Sequence, residues 1–407
     1  MRPKHGLVSP CYVGFAVSES ARELGKQVVD ACLAMGFALA GIAPAEPTAR
    51  RREYLEWLGA GRHGDMGYLA EMLEERLDVR VLLPGARAVI VVADQYAGKG
   101  DGGRERRGGG VEEWRGEAEG VIAKYARGRD YHAVVKRRLH ALCDRLRKLH
   151  SKAKFRAFTD TGPVMEREHA VRAGIGFVGK HTLVIHPRVG SYLLLGGVAT
   201  TLDIGAWEES RARERGRGAE ISAGFASEPA HPGRADHCGT CTLCIDACPT
   251  QAIEPYSVDA TKCVSYLTLE HRGTIDPALH AGIGDRLIGC DVCQDVCPFN
   301  RAHEGAGLGG ERVNAAYADG TGVRARLPIL DVLGWREEDR SRVLGPSAAK
   351  RASMAMLRRN ALVIAGNAML RREDAGLRAA VGRIAGDAGE DLMVRETARQ
   401  VLGRTGE

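Results

Sequence analysis

The sequence of 407 residues contains no apolar run long enough to cross a bilayer, and its first residues lack the apolar core of an export signal. A soluble protein that stays in the cytoplasm is therefore expected. The sequence also lacks a strong excess of charge of one sign. It has 58 Lys and Arg and 52 Asp and Glu, which gives a net charge of +6. This near balance excludes a uniformly basic nucleic-acid binder, but it allows a locally basic face.

Cysteine is scarce outside one segment, since eight of the 11 cysteines fall between residues 238 and 297. In a long intracellular chain, one dense block of cysteines favours metal ligation over disulfides. No H-E-x-x-H zinc motif is present. His132 and His169 stay ambiguous, because neither lies in a recognisable ligand motif.

The cysteine block has the spacing of bacterial ferredoxins that carry two 4Fe–4S clusters. The first run is C-x2-C-x2-C-x3-C-P, formed by Cys238, Cys241, Cys244 and Cys248. The second run has the same C-x2-C-x3-C-P ending, formed by Cys290, Cys293 and Cys297. Leu287 stands where its first cysteine would be, and Cys263 is the obvious replacement.

In such ferredoxins the last cysteine of each run ligates the neighbouring cluster. One cluster is therefore predicted on Cys238, Cys241, Cys244 and Cys297. The other is predicted on Cys248, Cys263, Cys290 and Cys293. Structural zinc is the alternative, but zinc sites use separated cysteine pairs rather than a packed triplet followed by x3-C-P.

Apolar spacing predicts an α/β domain ahead of this block. Amphipathic helices are expected over 20–35 and 130–150, with Cys32 in the core. A strand buried on both faces is expected over 88–93, and a strand, a turn and a second strand over 182–201. Toward the end of the chain, two or three short helices are expected from residue 347, with a break at Gly366-Asn367.

These patterns predict the following division of the chain. It consists of an N-terminal extension (1–19), an α/β domain (20–204) with a flexible insertion (98–120), a linker (205–236), a two-cluster domain (237–304), a connecting segment (305–346) and a helical segment (347–407). The insertion and the linker are assigned from their Gly- and Arg-rich composition.

Two glycine patterns in the first domain are near-misses. Gly174, Gly176 and Gly179 satisfy G-x-G-x-x-G, and 174–180 matches a phosphate loop except that His181 replaces the final Ser or Thr. Both motifs require a preceding strand, but the sequence before them predicts a helix. Nucleotide binding is therefore not expected here.

Asp160 follows a short apolar segment and precedes Thr-Gly-Pro. An Asp at this place is commonly a turn former or a cap. It could instead be a general acid, provided that burial raises its pKa. Composition alone leaves both interpretations open.

Several segments, in this order, resemble the epoxyqueuosine reductase family, the cobalamin- and iron–sulfur-dependent enzymes that complete queuosine in tRNA. Besides the two cysteine runs, they are RLDVRVLLPGARAVI (76–90), YARGRDYH (125–132), DTGPVMER (160–167), AGIGFVGKHTLVI (173–185), KCVSYLTLE (262–270) and RRNALVIAGN (358–367). The resemblance implies an N-terminal α/β cobalamin-binding domain related to reductive dehalogenases, a two-4Fe–4S ferredoxin-like domain, and a C-terminal α-helical HEAT-like segment that holds tRNA.

The resemblance also implies roles for individual residues. Asp160 would be the proton donor. Cobalamin would be lined by Arg76, Ala123, Asp160, Gly179, Lys180 and Val184. The tRNA would contact Arg167, Ser265, Arg358 and Arg359. For Arg358 and Arg359 the alternative is a merely solvated helix face. The chain departs from the family in its Gly-rich insertions and in His181, where the family often has Asn.

The implied reaction reduces epoxyqueuosine to queuosine in the anticodon loop, with electrons passing through both clusters to cobalamin. The partners expected are the modified tRNA and an external one-electron donor, with no membrane and a monomeric chain. Two alternatives are a two-cluster electron carrier and a dehalogenase acting on a small molecule. The carrier leaves the first domain without a role, and dehalogenases usually arrive with a twin-arginine signal, which is absent from the first 20 residues.

Overall fold

The computed structural model describes residues 19–98, 117–204, 207–208, 237–301, 313–318 and 321–406. Most of the predicted N-terminal extension, insertion and linker, and the beginning of the connecting segment, lie outside these ranges. Within the described ranges, no helix has the length and apolar character needed to span a membrane.

The secondary structure is numbered here in chain order. The α-helices are α1 (Glu19–Ala34), α2 (Arg51–Gly59), α3 (Leu73–Leu77), α4 (Val79–Leu82), α5 (Tyr131–Leu149), α6 (Glu166–Arg172), α7 (Leu243–Asp246), α8 (Val264–Leu269), α9 (Pro277–Ile283), α10 (Val292–Asp295), α11 (Ile329–Gly334), α12 (Glu337–Leu344), α13 (Met354–Met369), α14 (Ala375–Gly386) and α15 (Leu392–Arg404). The strands are β1 (Leu39–Pro44), β2 (Ala88–Gln95), β3 (Glu119–Ile122), β4 (Phe155–Phe158), β5 (Phe177–Val178), β6 (Val184–Ile185), β7 (Leu193–Thr200), β8 (Trp207–Glu208), β9 (Ile253–Glu254), β10 (Ser257–Val258), β11 (Arg286–Ile288) and β12 (Arg326–Pro328).

A five-stranded sheet forms the centre of the first domain, in the order β4-β7-β2-β1-β8. Every pairing in it is antiparallel, and β2 pairs with β7 along its whole length, from Ala88 opposite Thr200 to Gln95 opposite Leu193. All eight residues of β2 are buried. The prediction of a strand covered on both faces is thus confirmed.

Helices cover both faces of this sheet. On one face α1 and α5 pack through apolar side chains that include Cys32 and Cys143, which are 0% and 2% exposed. On the other face, residues of α4 and α6 pack against alternate residues of β2. Gly196 in β7 permits the close approach of α5, since a Cβ there would lie 2.9 Å from Cγ1 of Val135. The predicted helices over 20–35 and 130–150 and the core position of Cys32 are confirmed.

The two strands predicted between 182 and 201 form, but they belong to different sheets. β6 pairs with β5, whereas β7 enters the central sheet between β2 and β4. The segment 177–185 therefore makes its own small hairpin beside α6. The glycine stretch 174–180, which resembles a phosphate loop, runs from the end of α6 into this hairpin, so a helix precedes it, as the sequence predicts.

A second sheet joins distant parts of the chain. β3 lies between β11, with which it is parallel, and β12, with which it is antiparallel. Gly120 is needed in this sheet because a Cβ there would lie 2.8 Å from Cβ of Leu287. The end of the predicted insertion and the connecting segment 305–346 are thus folded where described. In the predicted linker, β8 forms the edge strand next to β1.

Helices α13 to α15 pack around a shared apolar core that extends to β11 and α11. The predicted break at Gly366-Asn367 is wrong, because α13 continues to Met369. Gly366 is a packing position: a Cβ there would lie 2.9 Å from Cγ1 of Val401 on α15. The Asn367 side chain donates to the carbonyls of His280 (2.7 Å) and Gly284 (2.9 Å).

Replacing Gly366 with Leu should therefore destabilise the helical segment. The added side chain would overpack the α13–α15 contact, which costs about 1–3 kcal/mol and exceeds the helix propensity gained. Gly382→Leu on α14 is the matched control, since nothing lies within 4 Å of its Cβ position. Thermal unfolding should show a lower Tm for Gly366→Leu only; equal Tm values for both variants would contradict this packing role.

Candidate active site and cluster-binding segment

The first turn of α5 and the loop after β4 form a polar cluster. Asp130 caps α5 by accepting from the backbone N–H of His132 (3.0 Å). The Tyr131 hydroxyl donates to Oδ2 of Asp160 at 2.8 Å, and Nε2 of His132 lies 3.1 Å from the same oxygen. Asp160 has a φ of +39°, and its backbone N–H donates to Oε1 of Glu166 (2.6 Å). Two helix starts and one turn thus position this carboxylate.

His132 lies between two carboxylates. Its Nδ1 is 2.8 Å from Oδ1 of Asp130, and its Nε2 faces Asp160. Nζ of Lys350 lies 2.6 Å from the other oxygen of Asp130. Burial disfavours the imidazolium, but the hydrogen bonds to Asp160 and Asp130 outweigh burial and raise the pKa of His132 above its usual value.

The sequence analysis requires a raised pKa if Asp160 is to act as a general acid. The structure does not give Asp160 a raised pKa. Burial acts to raise the pKa of this carboxyl, but the hydrogen bonds from His132 and Tyr131 prevail and hold it below its usual value. Asp160 is therefore ionised at neutral pH. Glu166 beside it behaves in the opposite way, because burial and then the charge of Asp160 raise the pKa of Glu166 to about 8.

The other cofactor positions expected from the sequence lie around the 177–185 hairpin and two neighbouring segments. Arg76 lies in the last turn of α3, and its Nε is buried without a hydrogen-bond partner among the described residues. Nε2 of His181 is also buried and unpartnered within the described part of the chain. Ala123 and Val184 are buried at 2% and 3% exposure. Two orphaned polar atoms are compatible with a bound group that supplies their partners.

The Lys180 side chain contacts the first cysteine run, whereas the family resemblance implies a contact with cobalamin. Its Nζ donates to the carbonyls of Gly239 (2.6 Å) and Cys241 (3.1 Å) in the first cysteine run. Gly179 precedes it at a crowded position, where a Cβ would lie 2.5 Å from Cδ1 of Ile185. The hairpin thus connects the first domain to the cysteine block through the Lys180 side chain.

The structure brings the first predicted set of cysteines together. Burial raises the pKa of Cys244 to about 11, with further contributions from Cys238, Cys297 and Cys241. Cys297 interacts in the same way with Cys238 and Cys241. Cys297, the last cysteine of the second run, therefore lies close to the cysteines of the first run.

The remaining cysteines form the second set. Cys293 is half-buried, and desolvation raises its pKa, followed by contributions from Cys290 and Cys263. Cys263 interacts in turn with Cys248. In the described ranges, no three Cys, His, Asp or Glu side chains converge on one point as ligands of a single metal ion do. Two groups of four interacting cysteines with this spacing suit two iron–sulfur clusters better than one zinc ion.

Comparison with known proteins matches this segment and the first domain separately. Residues 237–300 match the family described as a 4Fe-4S double cluster binding domain. Residues 76–161 match the family described as Epoxyqueuosine reductase QueG, DUF1730.

Full-length relatives decide the family. The epoxyqueuosine reductase of Alicycliphilus denitrificans is 35% identical over 382 residues, which cover 91% of this chain and 95% of the relative. That of Burkholderia pseudomallei is also 35% identical, over 90% of this chain and 84% of the relative. This chain belongs to the epoxyqueuosine reductase family.

Solved structures of the family share the fold. An epoxyqueuosine reductase from Streptococcus thermophilus superposes with a TM-score of 0.71 at 24% identity, covering 93% of this chain and 90% of that one. An epoxyqueuosine reductase bound to a tRNA-Tyr epoxyqueuosine-modified stem loop gives a TM-score of 0.74 at 24% identity, covering 95% and 91%.

The four positions expected to contact tRNA lie in different environments. Arg167 is exposed at the start of α6, and its guanidinium donates to the Thr182 carbonyl (2.7 Å) and hydroxyl (3.0 Å). Ser265 is half-buried on α8. Arg358 forms an ion pair with Glu390 (2.5 Å) and donates to the Trp335 carbonyl (2.7 Å).

Arg359 is a correction to the sequence-based expectation. It is 0% exposed, so it is neither a phosphate contact nor part of a solvated helix face. Its guanidinium donates to three carbonyls, those of Leu267 (2.5 Å), His271 (2.7 Å) and Gly273 (2.8 Å). Arg359 therefore holds the segment after α8 against α13.

Sequence reasoning missed two other features of the site. Lys124 is a buried cation beside the second cysteine run, with its Nζ 2.8 Å from Oδ1 of Asp295. The Tyr192 hydroxyl donates to the same oxygen at 2.5 Å. At the rim, Arg351 pairs with Glu270 (2.8 Å). No local pattern reveals these pairs, because their members are more than 80 residues apart.

Arg359→Lys should destabilise the protein, because an ammonium cannot reach all three carbonyls and would leave buried acceptors unsatisfied. Each unsatisfied group costs about 1–3 kcal/mol. Arg383→Lys, at an exposed position on α14, is the matched control and should leave stability unchanged. Chemical denaturation followed by circular dichroism compares the two; an unchanged midpoint for Arg359→Lys would contradict this anchoring role.

Proposed function

We propose that this protein reduces epoxyqueuosine to queuosine in the anticodon loop of a cytoplasmic tRNA. Electrons from an external one-electron donor pass through two 4Fe–4S clusters to cobalamin, and the epoxide oxygen leaves as water. The observation that carries the proposal is the presence, in one chain of this family, of two groups of four cysteines and an Asp160 carboxylate held by Tyr131 and His132.

The clusters are assigned from the two cysteine groups. The first is held by Cys238, Cys241, Cys244 and Cys297, and the second by Cys248, Cys263, Cys290 and Cys293. Each cluster passes one electron at a time, so the clusters supply reducing equivalents but no substrate chemistry. The two electrons needed for one epoxide therefore arrive in separate steps.

Cobalamin is assigned to the region around the 177–185 hairpin and α3. Arg76, Ala123, Asp160, Gly179, Lys180 and Val184 are the residues proposed to hold it. The unpartnered Nε of Arg76 and Nε2 of His181 support this assignment, because a corrin carries amide groups that can satisfy them. When bound, cobalamin supplies a low-valent cobalt nucleophile for the epoxide carbon.

Asp160 is the proposed final proton donor to the epoxide oxygen. An alkoxide leaves poorly unless it is neutralised in the transition state, so a donor at this position is required. Because Asp160 is ionised at rest, it must receive a proton before it can deliver one.

For tRNA, the target base must leave its stack to reach a recessed cofactor, which a single-stranded loop allows at low cost. We place the contacts nearest the site on Arg167 and Ser265. Arg359 is buried and Arg358 is held by Glu390, so neither is assigned a phosphate. Helices α13 to α15, in a HEAT-like arrangement, are proposed to hold the stem loop of a tRNA bound by a monomeric chain.

Asp160→Asn should abolish turnover while both clusters and cobalamin stay bound, because the amide cannot relay a proton. The measurement is queuosine formed from epoxyqueuosine-containing tRNA, by nucleoside analysis after digestion, alongside iron and cobalamin content. Asp144→Asn, on the exposed side of α5, is the control and should retain activity. Wild-type rates in Asp160→Asn would remove Asp160 from this role.

Cys297→Ser should remove the first cluster and keep the second, because Cys297 is assigned to the set formed by the first run. Anaerobically prepared protein should then hold about four irons instead of about eight. Cys143→Ala is the control, since Cys143 is a core residue and should leave the iron content unchanged. Loss of all iron, or none, in Cys297→Ser would contradict the separate assignment of the two sets.

A further inference from the structure

We propose that the imidazolium of His132 supplies the protons that Asp160 delivers to the substrate, and that Asp130 and Lys350 set how readily His132 releases them. His132 does not touch the substrate; it acts through Asp160 as a positioning and proton-supplying residue. The inference rests on the proposed function, because it takes Asp160 to face the epoxide oxygen.

Geometry favours the cationic form of the ring. Nδ1 lies 2.8 Å from a carboxylate oxygen of Asp130 and Nε2 lies 3.1 Å from one of Asp160. A neutral imidazole carries one N–H, so its other nitrogen would present a lone pair to a carboxylate. The imidazolium donates to both oxygens, and such charge-assisted bonds are the stronger kind. The resting state of the pair is therefore His132 protonated and Asp160 ionised.

The other groups around Asp160 are poorer proton donors to its carboxylate than His132. The Tyr131 hydroxyl donates to Oδ2 of Asp160, but burial and the charge of Asp160 raise the pKa of Tyr131, so it keeps its proton. Glu166 accepts from the backbone N–H of Asp160, so its contact is with the main chain and not with the carboxylate. Among the residues that the structure describes, His132 is the one whose ring N–H faces the Asp160 carboxylate.

The charges that face the pair come from several elements. Asp130 precedes α5, and the positive end of the α5 helix dipole opposes a cation at His132. Lys350, on the short helix Ala348–Arg351, lies on the far oxygen of Asp130. The charge of Arg351 lowers the pKa of Asp160, and the charge of Asp160 raises the pKa of Glu166. Lys350 thus weakens the hold of Asp130 on the His132 proton.

Reduction of one epoxide to an alkene and water takes two protons, and both pass through His132 and Asp160. The Nε2 proton of His132 passes to Asp160, and the Asp160 carboxyl gives it to the epoxide oxygen as a C–O bond breaks and a hydroxyl forms. A second proton takes the same route as the remaining C–O bond breaks and water leaves. Two electrons from the external donor complete the change from epoxide to alkene. His132 is reprotonated from solvent, since its side chain is 22% exposed.

This arrangement predicts opposite effects for two variants that leave His132 and Asp160 in place. Asp130→Asn keeps a helix-capping oxygen but removes a negative charge, so the pKa of His132 should fall. Lys350→Gln removes a positive charge next to Asp130, so the pKa of His132 should rise. Because the protonated ring is the source, turnover is lost as pH rises through this pKa.

The test has two readouts: the His132 pKa measured by NMR on the oxidised holoprotein, and the pH dependence of turnover. NMR titration of histidine rings, with the His132 signal assigned from His132→Gln, should show a midpoint above about 6.5 in the wild type. The midpoint should be lower in Asp130→Asn and higher in Lys350→Gln. The alkaline limb of queuosine formation from epoxyqueuosine-containing tRNA should move in the same direction in each variant.

A His132 midpoint at or below about 6.5 would overturn the inference. So would an alkaline limb that stays at one pH while the NMR midpoints move apart. Failure of the proposed function itself is distinguishable, because wild-type protein with both clusters and cobalamin would then form no queuosine at any pH. The NMR titration does not depend on turnover, so it still reports the protonation state of the ring.

Discussion

Eight cysteines gather into two groups, and the repulsion that arises when their thiols lose their protons must be relieved before this segment can function. Burial and mutual repulsion raise the pKa of Cys244 to about 11 and that of Cys290 to about 12. Only bound cations can hold such groups as thiolates, so the segment reaches its functional state with iron–sulfur clusters. Short helices α7 and α10 keep the cysteines in the required register.

Directional polar contacts help to fasten the cysteine segment to the first domain. The Asn300 side chain accepts from the Ser191 backbone N–H (2.7 Å) and donates to the Ser191 hydroxyl (2.9 Å). The Tyr96 hydroxyl donates to the Gln294 side chain (3.0 Å), and Lys180 holds the first run. Buried polar contacts of this kind are directional, so they fix the cysteine segment relative to the active site.

Helix α5 links packing to chemistry. Its apolar face, through Val135, Leu139 and Leu142, lies on the central sheet, while its first turn presents Tyr131 and His132 to Asp160. A rigid element with a well-packed face positions these side chains more accurately than a loop would. The same sheet ends at β4, which carries Asp160 into the site.

Local patterns in the sequence predicted α1, β2, α5 and the cysteine spacing, because each depends on residues a few positions apart. They failed where the outcome depends on distant partners. Gly366 resembles a helix end but faces Val401, and Arg359 resembles a surface cation but anchors three carbonyls. The ionised state of Asp160 likewise depends on His132, which is 28 residues away in the chain. The resemblance to a family implies Asp160 as the proton donor, and the structure adds its contacts with Tyr131 and His132.

The most direct measurement combines anaerobically reduced protein, cobalamin and tRNA carrying epoxyqueuosine, followed by digestion and nucleoside analysis. The account predicts that queuosine replaces epoxyqueuosine, with two electrons consumed for each nucleoside converted. Epoxyqueuosine that remains unchanged, in protein shown to hold both clusters and cobalamin, would contradict it.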